Sequence, residues 1–263
     1  MDTIIIWDVD PELFRVGGFA IRWYGLLYAT AFLAGTTIMS RIFALENKPA
    51  KSIDRLLIYM LVAVVVGARL GEILFYNLEY YLQNPFKIFR VWEGGLSSHG
   101  GFVGIFTALY FYSKKTSDQP YLWILDRICI VVAFAGILIR IGNFINSEII
   151  GIPTNGAWGV VFKNVDNIPR HPAQLYESLM YLGVFLLLLA IYKLVDTTKK
   201  QGLLIGVFLT VGFSLRFLNE FVKENLGFAK NEAILNTGQL LSIPVILIGL
   251  FLLWKGWNHD KPK

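Results

Sequence analysis

Three arginines stand where a long apolar helix should carry no charge. Arg69 lies in VVVGARLGEILFYN, Arg140 in FAGILIRIGNFIN and Arg216 in LTVGFSLRFLNEF. An arginine at the centre of a membrane span costs about 2.5–3.5 kcal/mol, and less near the interface. Snorkelling to the headgroups accounts for any one of them. It accounts less well for three that each have polar neighbours at helical spacing. Glu72 follows Arg69 at i+3, Asn143 follows Arg140 at i+3 with Asn146 three further on, and Glu220 follows Arg216 at i+4 beside Asn219. Such spacings gather polar groups on one helix face, and such faces point into a bundle. Guanidinium groups form paired, charge-assisted bonds to phosphate oxygens. At membrane depth the available phosphate belongs to a phospholipid.

A second group of residues could move protons. GGLSSHGGFVG places His99 before an apolar run, with Gly100 and Gly101 behind it. RHPAQLYE places His171 at a helix start, with Pro172 in the first turn and Gln174 and Glu177 on one face. A neutral histidine near its ordinary pKa of about 6.5 accepts a proton at physiological pH. A lone histidine at a helix start is also a common cap or interface hydrogen-bonder. His259 falls in a basic tail and reads as solvated. Two histidines with no third His or Cys nearby make a weak metal site, so neither a metal nor a cofactor is expected. The single cysteine, Cys129, sits in an apolar run and reads as a packing residue. Together these residues suggest a phospholipid-handling enzyme whose headgroup site opens to the outer leaflet.

The elements that must position these residues are legible from composition. The 263 residues are 55% hydrophobic and only 16% charged, with positive mean hydropathy. That excludes disorder and an ordinary soluble domain. Nucleic acid is not an expected partner, because the net charge of +5 is not gathered into a basic, aromatic-laced patch. The N-terminal segment lacks the basic start of a secretory signal, so no cleaved leader is expected.

Apolar runs predict an all-α integral membrane protein with seven transmembrane helices, at about 18–40, 56–78, 99–113, 121–145, 173–194, 202–223 and 237–254. Nothing separates them into domains, so residues 1–263 read as a single transmembrane catalytic domain. Segments 41–55, 114–120, 193–201 and 255–263 hold 12 Lys and Arg in 40 positions. The opposite connections, 1–22, 78–97, 146–172 and 223–236, hold 8 in 83, Lys223 among them. Basic short loops face the cytoplasm, which places the N-terminus outside and the C-terminus in the cytoplasm. Two larger extracytoplasmic loop regions follow spans two and four.

The run from Arg140 to Gly151, RIGNFINSEIIG, resembles the signature of the prolipoprotein diacylglyceryl transferase family. Other segments agree in order: IRWYGLLY with Tyr24, GARLGEILFYN with Arg69, GGLSSHGG with His99, RHPAQLYE with His171, and LRFLNEF with Arg216 and Glu220. The likeness spans about residues 20–245. It departs at Ile139, where the family usually has glycine, and at Gly212, where many members have tyrosine. The second departure puts in doubt any role here for a tyrosine at that point.

The resemblance implies an enzyme of the bacterial cell (inner) membrane, with its active site towards the extracytoplasmic side. Such an enzyme moves the diacylglyceryl group of phosphatidylglycerol to the cysteine thiol of a prolipoprotein signal peptide. A thioether forms and glycerol phosphate leaves. The expected partners are phosphatidylglycerol, prolipoprotein signal peptides and membrane lipids. The expected catalytic residues are His99, Arg140 and Arg216. The expected phosphatidylglycerol-binding residues are Arg140, Asn143, Glu148, Gly151, Tyr24, Arg69 and Glu220, with His171, Gln174 and Glu177 along the substrate path. The base stays open between His99, His171 and neither of them. The rival reading is a membrane transporter of an anionic or phosphate-bearing substrate. That reading predicts arginines at the midplane and inverted repeats, and the chain has no repeat pair.

Overall fold

The structure is a computed structural model describing residues 4–17, 19–116, 119–224 and 235–258. His259 lies outside the described residues. The protein is mostly helical. Among the described residues, six helices are long and apolar enough to cross a membrane: Trp23–Leu45, Lys51–Phe75, Tyr121–Ile145, Ala173–Leu194, Leu203–Val222 and Thr237–Trp257. The first four of these are labelled α1 (Trp23–Leu45), α2 (Lys51–Phe75), α5 (Tyr121–Ile145) and α6 (Ala173–Leu194). Between α2 and α5 come a short α3 (Leu78–Gln83) and α4 (Ser98–Lys115). Residues 203–222 are a helix in pieces: α7 (Leu203–Val207), a π-turn over Phe208–Gly212, α8 (Phe213–Asn219) and a 3-10 turn. The last helix is α9 (Thr237–Asn258).

Two expectations are refined. The run at 99–113 does form a helix, α4, but its 18 residues are not among the six. His99 and a glycine pair at its start and Lys114 and Lys115 at its end dilute its hydropathy. The first span begins later than residue 18, because residues before Trp23 form a hairpin of β2 (Glu12–Val16) and β3 (Phe19–Arg22). Gly17 turns it at φ +60°, a backbone region that glycine enters without strain.

The chain divides into two compact units, residues 38–125 and residues 1–37 with 126–263. In the unit of residues 38–125, α2 and α4 meet backbone to backbone. A Cβ added at Gly67 would stand 2.6 Å from the Gly100 carbonyl oxygen, and one at Gly71 would stand 2.5 Å from Gly100 Cα. Small residues let helices approach this closely without a hydrophobic drive from water. Ser97 caps α4 by accepting the Gly100 amide, at 3.4 Å, and its own amide donates to the Ala68 carbonyl, at 2.9 Å.

In the other unit, β1 (Ile5–Trp7) pairs in parallel with β4 (Val160–Phe162), which pairs antiparallel with β5 (Pro169–Arg170). Trp7 stacks on Phe144, with ring centroids 4.3 Å apart, and Phe144 meets Phe162 edge-on at 5.6 Å. These rings, with Ile150 and Val160, form a small buried core under the loop that leaves α5. At the start of α7, Asp126 accepts the Gly202 and Ile205 amides, at 2.7 and 2.9 Å. That satisfies helix-terminal donors that would otherwise be orphaned inside the protein.

Arg170 ties the same loop together. It pairs with Asp166 at 2.5 Å and with Glu224 at 2.9 Å, and it donates to the Gly151 carbonyl at 3.2 Å. The Arg170 hydrogen bond holds the Asp166 carboxyl below its ordinary value. A carboxyl depressed by folding stabilises the native state above its unfolded pKa of about 3.9, and loses that contribution as pH falls through the folded value. Thermal unfolding in detergent is expected to show this as a midpoint that drops below pH ~4, more steeply in wild type than in Asp166→Asn. A Gly71→Leu variant is expected to lose about 1–3 kcal/mol or more through overpacking, read as a lower unfolding midpoint.

Candidate active site

The central group of the site is the carboxylate of Glu177, on the first turns of α6. It is 4% exposed and holds two cations. Its Oε2 lies 2.6 Å from Arg140 Nε, and its Oε1 lies 2.8 Å from Lys223 Nζ. The Lys223 ammonium also reaches Glu220 Oε1 at 2.9 Å. Glu220 in turn stands 3.7 Å from Arg216 Nη2. A buried charge without a partner is strongly disfavoured, so such groups occur paired.

A polar arm continues from Arg140. Its Nη1 donates to Asn143 Oδ1 at 3.0 Å. Asn143 Nδ2 donates to Glu148 Oε2 at 3.0 Å, and Asn146 Nδ2 to Glu148 Oε1 at 3.2 Å. Gln174 Nε2 donates to the Glu148 carbonyl at 2.6 Å. Tyr24 packs its ring on Gly142, where a Cβ would stand 2.8 Å from Tyr24 Cδ2. The structure therefore brings Tyr24, Arg140, Asn143, Glu148, Gln174, Glu177, Arg216 and Glu220 into one connected region.

The donors left over matter most for chemistry. Arg140 Nη2 makes no bond within the described residues, and Arg216 spends one nitrogen on the long contact to Glu220. Arg216 is 34% exposed at its side chain, against 13% for Arg140. Two anchored guanidiniums with spare donors suit an anionic oxygen group. Beside them lies a narrow cleft, lined by Glu177, Met180, Tyr181, Val184, Leu215, Gly212 and Arg216. One end is charged and the walls are largely apolar. A Cβ added at Gly212 would meet nothing within 4 Å. The π-turn ends at Gly212, one turn before Arg216. Such turns interrupt helices mostly at functional positions.

Gly151 occupies a junction of three segments. Its amide donates to the His171 carbonyl at 3.0 Å, and it bridges to Lys223. A Cβ there would lie 2.4 Å from the His171 oxygen and 2.8 Å from the Val222 oxygen. His171 spends its backbone on this junction, and its Nδ1 stands 3.2 Å from the Tyr176 hydroxyl.

Arg69 and His99 belong to the unit of residues 38–125. Arg69 is buried and does not pair with Glu72, which instead accepts from Asn77 at 2.7 Å. All five Arg69 donors go to backbone carbonyls. Nε bonds Ile88, Nη1 bonds Gly94 and Gly95, and Nη2 bonds Lys87 and Arg90, at 2.5–3.0 Å. Tyr81 covers the guanidinium at 5.0 Å. In this arrangement Arg69 shapes the loop ahead of α4 and has no donor to spare for a phosphate. His99 is exposed in the first turn of α4, 3.5 Å from the Tyr76 hydroxyl, a long hydrogen bond at best. Lys223 is the residue that sequence reasoning missed, having counted it among the loop lysines. The available signal was its i+3 spacing from Glu220.

A family model described as prolipoprotein diacylglyceryl transferase matches residues 11–255. Several similar proteins bear the name phosphatidylglycerol–prolipoprotein diacylglyceryl transferase. The one from Chloroherpeton thalassium is 47% identical over 257 residues, covering 97% of this chain and 96% of that protein. The one from Tolumonas auensis is 43% identical over 250 residues, covering 95% and 96%. The one from Porphyromonas gingivalis is 42% identical over 268 residues, covering 96% and 95%.

The crowding at Gly151 makes a test of the junction. Gly151→Ala is expected to push the Gly151–His171 and Val222 segments apart, at about 1–3 kcal/mol. The midpoint of thermal unfolding and the protease sensitivity of residues 146–172 report it. A variant as stable as wild type would mean that the junction yields freely.

Proposed function

The chain belongs to the prolipoprotein diacylglyceryl transferase family, and on that premise we propose that it transfers the diacylglyceryl group of phosphatidylglycerol to the lipobox cysteine of a prolipoprotein signal peptide. The observation that carries this reading is the pair of anchored arginines, Arg140 and Arg216, with spare donors beside a largely apolar cleft. A headgroup phosphate needs the first feature and a lipid chain the second.

In the reaction, the cysteine thiol loses its proton and its sulfur attacks the glycerol carbon that carries the phosphate ester. The S–C bond forms as the C–O bond breaks, and glycerol phosphate leaves with the electron pair. A free thiol has a pKa of about 8.5 and is mostly protonated at neutral pH. His99 is the base we assign to it, with His171 as the alternative. Donors aimed at the leaving phosphate stabilise its developing charge, a role that can dominate a barrier. Arg140 and Arg216 take that role. Asn143 and Glu148 orient Arg140 and the glycerol hydroxyls. Glu220 holds Arg216. Tyr24 and Gly151 shape the wall of the lipid site, and Gln174 and Glu177 line the substrate path. Arg69, also first assigned to phosphatidylglycerol, acts here through the loop that it organises.

We propose one catalytic domain in the bacterial cell (inner) membrane, open towards the extracytoplasmic side. Helix α4 is its seventh span. The apolar Phe102, Val103 and Phe111 on its surface and the lysines at its end support that reading. The lysine-poor connections, with the site residues that they adjoin, face outward by the charge bias of the loops.

Purified protein incubated with phosphatidylglycerol and a lipobox peptide is expected to release glycerol phosphate as the peptide thiol disappears. Movement of a phosphate-bearing substrate across vesicles with no covalent product would favour a transporter. Arg140→Ala is expected to lower the rate on the order of a hundredfold or more, and a folded, fully active variant would remove Arg140 from the mechanism. The pH–rate profile assigns the base. Loss of the acidic limb in His99→Gln supports His99, and its loss only in His171→Gln supports His171.

A further inference from the structure

One buried cation of the site network has no part in the reaction as described. Lys223 is 7% exposed, yet it directly follows a span and sits in a stretch that reads as an ordinary loop. We infer that Lys223 is a positioning residue whose charge sets the buried cluster to accept a singly charged phosphodiester. This inference rests on the transferase reading above and deepens it.

The argument is a count of charges. Arg140, Arg216 and Lys223 are cations, and Glu177 and Glu220 are their carboxylate partners. The cluster carries one positive charge in excess. Glu148 joins only through Asn143 and is exposed, so solvent screens it. A phosphodiester carries a single negative charge and would bring the cluster to neutrality on binding. A zwitterionic headgroup would not.

Geometry explains why the third cation is a lysine. Its ammonium lies between two carboxylate oxygens, at 2.8 and 2.9 Å. A compact ammonium with three donors suits that gap better than a planar fork. Each carboxylate also holds one arginine. The ammonium serves one oxygen of Glu177 and one of Glu220, and Arg140 Nη2 stays unspent within the described residues. Without Lys223, two buried carboxylates would compete for the arginines and draw their free donors inward. The backbone fixes the lysine in place. Lys223 bridges to Gly151, Ile152 donates to the Val222 carbonyl at 2.9 Å, and Glu224 donates to the Ile150 carbonyl at 3.1 Å. The same strand-like contact therefore sets both the signature loop and the third cation.

The test compares Lys223→Met and Lys223→Arg with wild type, using purified full-length protein in detergent. Lys223→Met is expected to raise KM for phosphatidylglycerol by about tenfold, with a much smaller change in kcat. Binding of glycerophosphoglycerol, a singly charged phosphodiester, should weaken by a similar factor in calorimetry, while competition by uncharged diacylglycerol stays as in wild type. Lys223→Arg should recover most of the loss. A folded Lys223→Met with unchanged KM and unchanged glycerophosphoglycerol binding overturns the inference. So does equal loss of the charged and uncharged ligands, which marks a purely structural residue. Should Lys223→Met fail to fold, Lys223→Gln keeps donors between the two carboxylates and removes the same charge. It should weaken glycerophosphoglycerol binding by about tenfold, and unchanged binding overturns the inference. Absence of any transfer by wild type would instead count against the transferase reading, and the calorimetric comparison still decides the role of Lys223.

Discussion

The site is organised by one constraint, which is that Glu177 cannot be buried alone. Removing a carboxylate from water costs several kcal/mol, and close cationic partners offset it. Glu177 meets this with Arg140 on one oxygen and Lys223 on the other. Each partner belongs to a different stretch of chain. Arg140 brings the end of α5 and, through Asn143 and Glu148, the loop that follows. Lys223 brings the end of the broken helix and, through Glu220, Arg216. Ion pairing at one carboxylate thus collects α5, α6 and α8 at a single point.

Backbone chemistry makes that convergence possible. The loop after α5 reaches Lys223 only because Gly151 has no side chain to strike His171 and Val222. Arg170 then laces the loop to Asp166 and Glu224. Within residues 203–222 a π-turn interrupts the helix just before α8. It shifts the faces that follow, including the one that carries Arg216 and Glu220. Asp126 satisfies the start of that helix from within. In the unit of residues 38–125 the logic differs. There Arg69 spends every donor on carbonyls of one loop, and glycines bring α2 and α4 into backbone contact. Arg140 and Arg216 are candidate ligands while Arg69 and Arg170 are loop formers, and only their partners distinguish the two roles.

The arrangement suits a reaction in which charge leaves on a phosphate. Arg140 and Arg216 are held by carboxylates before any substrate arrives, so little reorganisation is needed when negative charge develops. The cleft beside them is apolar along its walls and charged at one end, as a glycerolipid is. Gly212 lines that cleft without a side chain to fill it.

Much of this was legible from residue order. Apolar runs located the helices, two of them with the observed ends: 121–145 is α5 and 173–194 is α6. Local spacing announced Arg140 with Asn143 and Arg216 with Glu220, and both contacts form. Other features were not legible. The same spacing rule joined Arg69 to Glu72, but backbone carbonyls from a later loop claimed the guanidinium. Residues 19–22 looked like the start of a span and are a strand, because a hairpin partner precedes them. Lys223 counted only as one lysine of a connection, and Glu177 had no visible partner. A sequence by itself determined which side chains share a helix face, because that depends on a repeat of a few residues. Which faces meet depends on the register between distant segments. Only the tertiary structure decided that Arg140, Glu177 and Lys223 form one buried ion network.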